Sequence, residues 1–156
     1  MIIFAGIVAG LPAAIGGTLG QRLAARVKDL MLSNQSVPGV VEGTPMTEAV
    51  AVIDRGGLGA TLVVDRSNKL KGIITDGDIR RMVVSGSTIS DLTVDAVMTA
   101  DPRSLPEDAP TYDALNLMEQ HQITVLPIVN SDGFVKGILH LHDILGKGEF
   151  KFNLQS

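Results

Sequence analysis

The chain repeats itself: when it is shifted by 65 positions, residues 45–79 of the 156 align without a gap with residues 110–144. The matching positions include a Lys-Gly-Ile triplet and an Asp-Ile pair, found at 71–73 and 136–138 and at 78–79 and 143–144. A repeat at a fixed spacing constrains the architecture before any local pattern does, and two copies are too few for a solenoid. We therefore expect two half-units that share one core about an approximate two-fold axis.

Hydrophobic periodicity predicts the same order of elements in each copy, strand–helix–strand–strand–helix, and therefore an α+β (α/β-like) fold. In the first copy, Thr44 and Pro45 are predicted to supply an N-cap hydroxyl and a first-turn proline for a helix over 46–54. Pro110 opens the corresponding helix of the second copy. The other predicted elements are strands at 60–64, 70–75, 123–129 and 134–139, and helices at 76–84 and 142–145.

The composition excludes several classes of function. The net charge of −4 gives no reason to bind nucleic acid, and four Phe, one Tyr and no Trp leave few rings for stacking on bases. The absence of Cys excludes disulfides, thiol catalysis and cysteine metal sites. It also fits a reducing compartment, so we expect a cytoplasmic protein.

The first 20 residues carry no charged side chain, which raises the question of a signal peptide or a membrane anchor. Arg22 and Arg26 follow the apolar run instead of preceding it, and Pro12 interrupts it. These features argue against a membrane anchor. The alternatives are a remnant of an upstream unit or a helix that packs against a partner subunit.

Two tetrads stand where a strand is predicted to lead into a helix, at 75–78 (Thr-Asp-Gly-Asp) and at 140–143 (His-Leu-His-Asp). A helix N-terminus favours a phosphate, and a hydroxyl at the first position can donate to it. A carboxylate three residues later can accept hydrogen bonds from a ribose diol. Arg80 and Arg81 could clamp a phosphate or a carboxylate.

The alternative reading of these tetrads is purely structural. Asp76, Asp78 and Asp143 could be helix caps only, and the two arginines a solvated face. The two tetrads occupy equivalent positions of the repeat, which favours ligand binding at the first tetrad. At the second, His140 replaces the hydroxyl, and the two readings stay evenly balanced.

We expect neither a metal site nor a catalytic set. His140 and His142 lie beside Asp143, but residues two apart at a helix start diverge, so a chelate is not expected. His121 is expected to end a helix, where its charge suits the dipole. No local nucleophile–base arrangement is present, so the repeated pattern predicts a binding site with no catalytic residue and no cofactor.

These residues resemble a known family. The run from Gly72 through Ile79, repeated from Gly137 through Ile144, is similar to a tandem pair of cystathionine-β-synthase (CBS) domains, and the openings at 27–31 and 94–98 fit as well. The resemblance implies that Thr75 contacts phosphate and that Asp78 contacts ribose in one cleft, with Asp143 in the other. It divides the chain into an apolar segment at 1–26, CBS repeats at 27–86 and 87–147, and a tail at 148–156.

A closer resemblance is to the C-terminal half of arabinose 5-phosphate isomerases, which make the precursor of Kdo in lipopolysaccharide biosynthesis. It rests on residues 74–81, 114–118 and 139–145, and on Gly-Gly-Thr-Leu-Gly at 16–20, which resembles the tail of a sugar-isomerase domain. The fifteen residues before Gly16 cannot hold that catalytic domain. We therefore expect the regulatory half of such an enzyme, not the enzyme.

The resemblance implies a nucleotide-type effector: AMP or ATP, or CMP-Kdo as the output of the pathway. It also implies a homodimer, with a sugar-isomerase domain as a further partner. Two alternatives stay open, a subunit that contributes to an isomerase active site in trans and a dimerisation module with degenerate clefts. The residues expected to bind the ligand are Thr75, Asp76, Asp78, Arg80, Arg81, Ile123, Val125, His140 and Asp143. Those expected to make the dimer contact are Ile79, Met82, Val83, Ile144 and Leu145.

Overall fold

The structure, a computed structural model, describes residues 19–146 and builds each repeat around an antiparallel β-hairpin. The helices are α1 (Leu19–Ala24), α2 (Val27–Leu30), α3 (Met46–Gly56), α4 (Asp76–Val84), α5 (Val94–Val97), α6 (Thr111–His121) and α7 (Leu141–Leu145). The strands are β1 (Gly39–Val41), β2 (Ala60–Val64), β3 (Leu70–Thr75), β4 (Thr99–Ala100), β5 (Val125–Val129) and β6 (Val135–His140). This mixture of helices and strands confirms the predicted fold class.

The first repeat carries a four-stranded sheet in the order β1-β2-β3-β4, with β1 parallel to β2 and the other pairs antiparallel. The second repeat carries the β5–β6 hairpin. Its counterpart of β1 is a single parallel bridge between Leu105 and Ile128, which matches the Val40–Val63 pair of the first repeat. The second copy therefore follows the plan of the first with a shorter first strand.

The tips of the two hairpins bond to each other symmetrically. The Leu70 N–H donates to the Gly133 carbonyl, and the Val135 N–H donates to the Asn68 carbonyl, each at 3.0 Å. The two bonds are equivalent, because the 65-residue shift places Leu70 on Val135 and Asn68 on Gly133. The apolar core beneath them contains the equivalent pairs Ala60/Val125 and Ile73/Ile138, together with Leu62. This contact gives the pair its pseudo-two-fold symmetry.

The first segment of each repeat packs on the other repeat. Val27 of α2 is fully buried in the core of the second repeat, and Leu32 pairs with Ile138 of β6. Val94 of α5 is fully buried in the core of the first repeat, and Thr99 of β4 pairs with Ile73. The first helix of each repeat, and the short strand or bridge that follows it, therefore lie on the other repeat.

Most predicted element bounds in the first repeat match the structure, but the N-cap at Thr44 is wrong. Pro45 is the N-cap of α3, with extended φ and ψ of −60° and 143°. The Thr44 hydroxyl donates to the Val41 carbonyl at 2.6 Å, within the turn before the helix. In the second repeat, the strands start two residues and one residue later than predicted, at Val125 and Val135, and α7 starts one residue earlier, at Leu141.

Three of the five residues predicted for a dimer contact are buried inside the chain's own cores. Met82, Ile144 and Leu145 face the hairpins that their helices cover, so they cannot form an outer surface. Ile79 also packs partly against the first core, whereas Val83 is 65% exposed. The prediction for the buried three is therefore wrong.

Helix α1 packs on the second repeat through Leu19 and Leu23, both buried. The expectations for the apolar residues before Leu19, and for the tail after Gly146, lie outside the described residues. Within residues 19–146, no helix is long and apolar enough to cross a membrane.

Candidate functional site

The first tetrad forms a capping box where β3 meets α4. Thr75 is the N-cap of α4, and its hydroxyl accepts a hydrogen bond from the Asp78 N–H at 3.3 Å. In return, Asp78 Oδ2 accepts from the Thr75 N–H at 2.8 Å. A hydroxyl followed three residues later by a carboxylate satisfies two unpaired helix N–H groups in this way. Asp78 therefore makes the capping contact that the structural reading expects.

Both oxygens of the Asp78 carboxylate have partners. Oδ2 also accepts from the Thr75 hydroxyl at 3.1 Å, and Oδ1 accepts from Arg81 Nη2 at 2.6 Å. The Asp78 side chain is only 10% exposed, whereas that of Arg81 is 68% exposed. The carboxylate is thus fixed in position, and its Oδ1 side faces the arginine.

A cleft of about 630 Å³ opens beside this capping box and spans both repeats. Seven of the nine predicted binding residues line it: Thr75, Asp76, Asp78, Arg80, Arg81, Ile123 and Val125. The first five come from the β3–α4 junction, and the last two come from the start of the second hairpin. The structure therefore brings the polar and the apolar predictions together in one place.

Other residues of the cleft were not predicted. Arg103 and His121 line it, as do Leu58, Gly59, Ile73, Gly77, Thr99, Pro102, Gln122, Thr124 and Pro127. Arg103 follows the short strand β4, which crosses onto the first repeat, and no local motif marks that crossing. His121 was expected only as the end of a helix. It is the last residue of α6, and that end of the helix opens onto the cleft.

The cleft combines an apolar wall with a cluster of cations. Three guanidinium groups, from Arg80, Arg81 and Arg103, share the cleft with the carboxylates of Asp76 and Asp78. Asp78 is already paired with Arg81, which leaves an excess of positive charge along the polar side. Such a cleft can hold a molecule that has one anionic end and one flat, weakly polar end.

The second tetrad caps α7 in a related way but does not line this cleft. The His140 N–H donates to Asp143 Oδ2 at 2.9 Å, and the His142 N–H donates to His140 Nδ1 at 3.0 Å. The two imidazole rings lie 4.5 Å apart, so the expectation that they diverge is wrong. They meet because His140 ends the strand in an extended conformation and the chain turns directly into α7. Across residues 19–146, no group of three or more His, Asp or Glu side chains is arranged to hold a metal ion.

Comparison with known sequences shows the family. The family model of the CBS domain matches residues 27–85 and 93–148. Arabinose 5-phosphate isomerase KdsD of Pseudomonas aeruginosa is 39% identical over 133 residues, which cover 85% of this chain and 41% of that protein. The uncharacterised protein RP505 of Rickettsia prowazekii is 40% identical over 133 residues, which cover 85% of this chain and 40% of that protein. The chain thus spans about two fifths of the length of these relatives.

Solved structures give the same fold. A CBS domain-containing protein of unknown function from Bacillus anthracis superposes with a TM-score of 0.68 at 28% identity, covering 80% of this chain and 93% of that one. The CBS domain pair of protein MJ0100, in complex with 5′-methylthioadenosine and S-adenosyl-L-methionine, superposes with a TM-score of 0.70 at 25% identity, covering 78% and 93%. The two matched segments, the doubled hairpin and these superpositions agree: the chain belongs to the CBS-domain family and carries two copies of the domain.

Proposed function

We propose that this CBS pair is a non-catalytic regulatory module that binds a nucleotide-type effector in the cleft between its repeats. One observation carries the proposal: the Thr75–Asp78 junction and three arginines line the same cleft as the apolar residues Ile123 and Val125. A nucleotide has the matching parts, an anionic phosphate, a ribose diol and a flat base.

Each part of a nucleotide has a suitable place in this cleft. The diol can donate to the Asp78 carboxylate, which the capping box holds in position. The phosphate can approach the first turn of α4 and the guanidinium groups of Arg80, Arg81 and Arg103, whose forks match phosphate oxygens. The base can then lie against aliphatic side chains, since no Phe, Tyr or Trp among residues 19–146 lines the cleft.

Two effectors fit this description. Adenine nucleotides are supported by the MJ0100 pair, because both of its ligands contain an adenosine group. CMP-Kdo is supported by the similarity to arabinose 5-phosphate isomerases, because it is the activated product of the pathway those enzymes supply. Its carboxylate gives a second anion for the arginine cluster.

The same similarity supports regulation of an arabinose 5-phosphate isomerase, with a sugar-isomerase domain as the partner of this pair. We place the module in the cytoplasm, since the chain contains no Cys and needs no oxidising compartment. Self-association into a homodimer also belongs to the proposal, and the exposed Val83 and Val84 on α4 support it.

Calorimetric titration with AMP, ATP, CMP and CMP-Kdo tests the effector. We expect at least one of them to bind. Asp78→Ala should weaken the free energy of binding of that ligand by about 1–3 kcal/mol, the cost of losing hydrogen bonds to a carboxylate in a partly desolvated site. Asp143→Ala is the matched control, because Asp143 makes the same capping contact outside this cleft. Equal affinity of wild type and Asp78→Ala for every ligand would contradict the assignment.

An isomerase assay separates the alternatives. The module alone is expected to leave arabinose 5-phosphate unchanged, and a separately supplied isomerase domain should respond to it only together with the effector. If the module raised isomerase activity without any effector, contribution in trans would be the better reading. If no nucleotide bound, a dimerisation module with degenerate clefts would be the better reading.

A further inference from the structure

Arg81 contacts two parts of the cleft that a nucleotide would use. Its Nη2 donates to Asp78 Oδ1 at 2.6 Å. Its guanidinium also lies over Gly77 in the first turn of α4, where a Cβ built on the glycine would be 3.4 Å from Nη1 and 3.6 Å from Nη2. The guanidinium therefore covers the helix start as well as the carboxylate.

The two oxygens of the Asp78 carboxylate have different partners, and the Arg81 guanidinium lies on the one that a ligand can reach. Oδ2 is held by the backbone and the hydroxyl of Thr75, so Oδ1 is the oxygen left to meet a ligand. A hydroxyl that approaches Oδ1 meets Arg81, and so does an anion that approaches the first turn. A ligand with both groups can move the guanidinium from Asp78 to its own anion, whereas a neutral ligand offers it no new partner.

We propose that Arg81 is a specificity-determining residue, which makes the cleft select nucleotides over nucleosides by exchanging its bond to Asp78 for one to the ligand's phosphate. The inference rests on the proposed function, because it assigns that site its discrimination. A nucleoside must compete with Arg81 for Asp78 and gains nothing in return. A nucleotide replaces the lost ion pair with a charge-assisted bond to phosphate.

Arg80 and the equivalent positions of the second repeat provide two comparisons inside the same chain. Arg80 lines the cleft but makes no hydrogen bond or ion pair with any residue of the 19–146 segment, so it can attract an anion without competing for Asp78. In the second repeat, the positions equivalent to Arg80 and Arg81 are Leu145 and Gly146. The exchange is therefore a property of the first tetrad alone.

The test compares adenosine with AMP, and cytidine with CMP, by calorimetry on wild type, Arg81→Met and Arg80→Met at one ionic strength. For whichever pair binds, we expect Arg81→Met to lower the affinity for the nucleotide about tenfold, because the complex loses a charge-assisted bond. The same variant should bind the nucleoside about two- to fivefold more tightly, because an ion pair whose arginine is largely exposed no longer competes. Arg80→Met should lower the affinity for the nucleotide and leave the affinity for the nucleoside unchanged.

The outcomes separate this inference from the function on which it rests. If the nucleotide binds wild type and Arg81→Met leaves the nucleoside-to-nucleotide ratio of dissociation constants unchanged, the exchange is overturned and the binding function stands. If Arg81→Met weakens the nucleoside as well, Arg81 is a simple contact and the exchange is again overturned. If neither nucleotide binds wild type, the function fails for these ligands and the exchange fails with it. Thermal unfolding of each variant checks that all three proteins are folded.

Discussion

Asp78 and Asp143 make the same capping contact in different surroundings. Asp78 Oδ2 accepts from the N–H of Thr75 at 2.8 Å, and Asp143 Oδ2 accepts from the N–H of His140 at 2.9 Å. Only Asp78 also accepts from an arginine and lines the cleft between the repeats. The cap is therefore a feature of the repeat itself, whereas a ligand site depends on what else the fold brings beside the carboxylate.

The Thr75 hydroxyl should stabilise the fold even when no ligand is added. Thr75→Ala leaves the Asp78 N–H without its side-chain acceptor, and we expect a loss of about 0.5–2 kcal/mol in the free energy of unfolding. Urea denaturation measures the difference. Thr47→Ala, at an exposed position inside α3, is the control and should change stability by at most a few tenths of a kcal/mol. Equal losses in the two variants would remove the capping explanation.

The close approach of residues 98–99 to Gly72 and of residues 31–32 to Gly137 should make both glycines costly to replace. A Cβ on Gly72 would be 2.5 Å from Met98 Sδ and 2.9 Å from the Thr99 carbonyl oxygen, and a Cβ on Gly137 would be 2.5 Å from the Leu32 carbonyl oxygen. Since backbone atoms cannot move aside cheaply, Gly72→Ala and Gly137→Ala should each cost about 1–3 kcal/mol in urea denaturation.

The control for these glycines is Gly39→Ala in strand β1. There the nearest atoms to an added Cβ lie 4.0 Å away, and the glycine φ is not in the left-handed region. Its stability should stay near that of wild type. A loss at Gly39 as large as at Gly72 would mean that the close contacts of Met98 and Thr99 with Gly72 are not the cause.

The segment before the first repeat should contribute to the stability of the second. Leu23 is 4% exposed and packs in the second core, so Leu23→Ala should cost about 2–5 kcal/mol through lost burial and the cavity left behind. Gln21→Ala, at an exposed position of the same helix, should stay within about 0.5 kcal/mol of wild type. Urea denaturation that shows no loss for Leu23→Ala would contradict the packing of α1.

Asp65 should make part of the stability depend on pH. The hydrogen bond from the Lys69 N–H is the largest of the effects that lower the pKa of this carboxyl below its ordinary 3.8. Desolvation, the next largest effect, opposes it, and the Ser67 N–H and the charges of Lys71 and Lys69 add to the lowering. A pKa lowered by folding contributes stability that is present above the ordinary value and is lost as the pH falls through the folded value. Asp65→Asn keeps the Oδ1 acceptor and should show a shallower loss of stability between about pH 5 and pH 2.

The equivalent residue of the second repeat offers the reciprocal experiment. Asn130 Oδ1 accepts from the N–H groups of Asp132 and Phe134 at 3.0 Å, as Asp65 Oδ1 accepts from those of Ser67 and Lys69. Asn130→Asp should therefore introduce the acid sensitivity that Asp65→Asn removes. Urea denaturation at a series of pH values measures both, and parallel pH profiles for wild type and Asp65→Asn would disprove the assignment.

Self-association should depend on the exposed end of α4. Val83 and Val84 are 65% and 82% exposed, so Val83→Ser with Val84→Ser should lower the mass of the protein in light scattering from that of a dimer towards 16.4 kDa. Val41→Ser, at an exposed apolar position of strand β1, should leave the mass unchanged. A wild-type protein that is monomeric at micromolar concentration would contradict the proposal.

The sequence by itself determined the features that depend on short-range chemistry. The strands 60–64 and 70–75 and the helix 76–84 could be predicted residue by residue, because alternation, turn residues and the hydroxyl–carboxylate spacing act within a few positions. The 65-residue repeat then implied the second copy and the symmetric pairing. Thr75 and Asp78 were recognisable for the same local reason.

Tertiary structure decided which residues share a surface. Val27 packs on the second repeat and Val94 on the first. The segment that begins at Val94 also brings Arg103 into the cleft that Thr75 lines. The burial of Met82, Ile144 and Leu145 was settled in the same way, because an apolar stripe on a helix has the same pattern whether it faces a hairpin of its own chain or another subunit. Local sequence records that a face is apolar, and only the packing of distant segments determines what covers it.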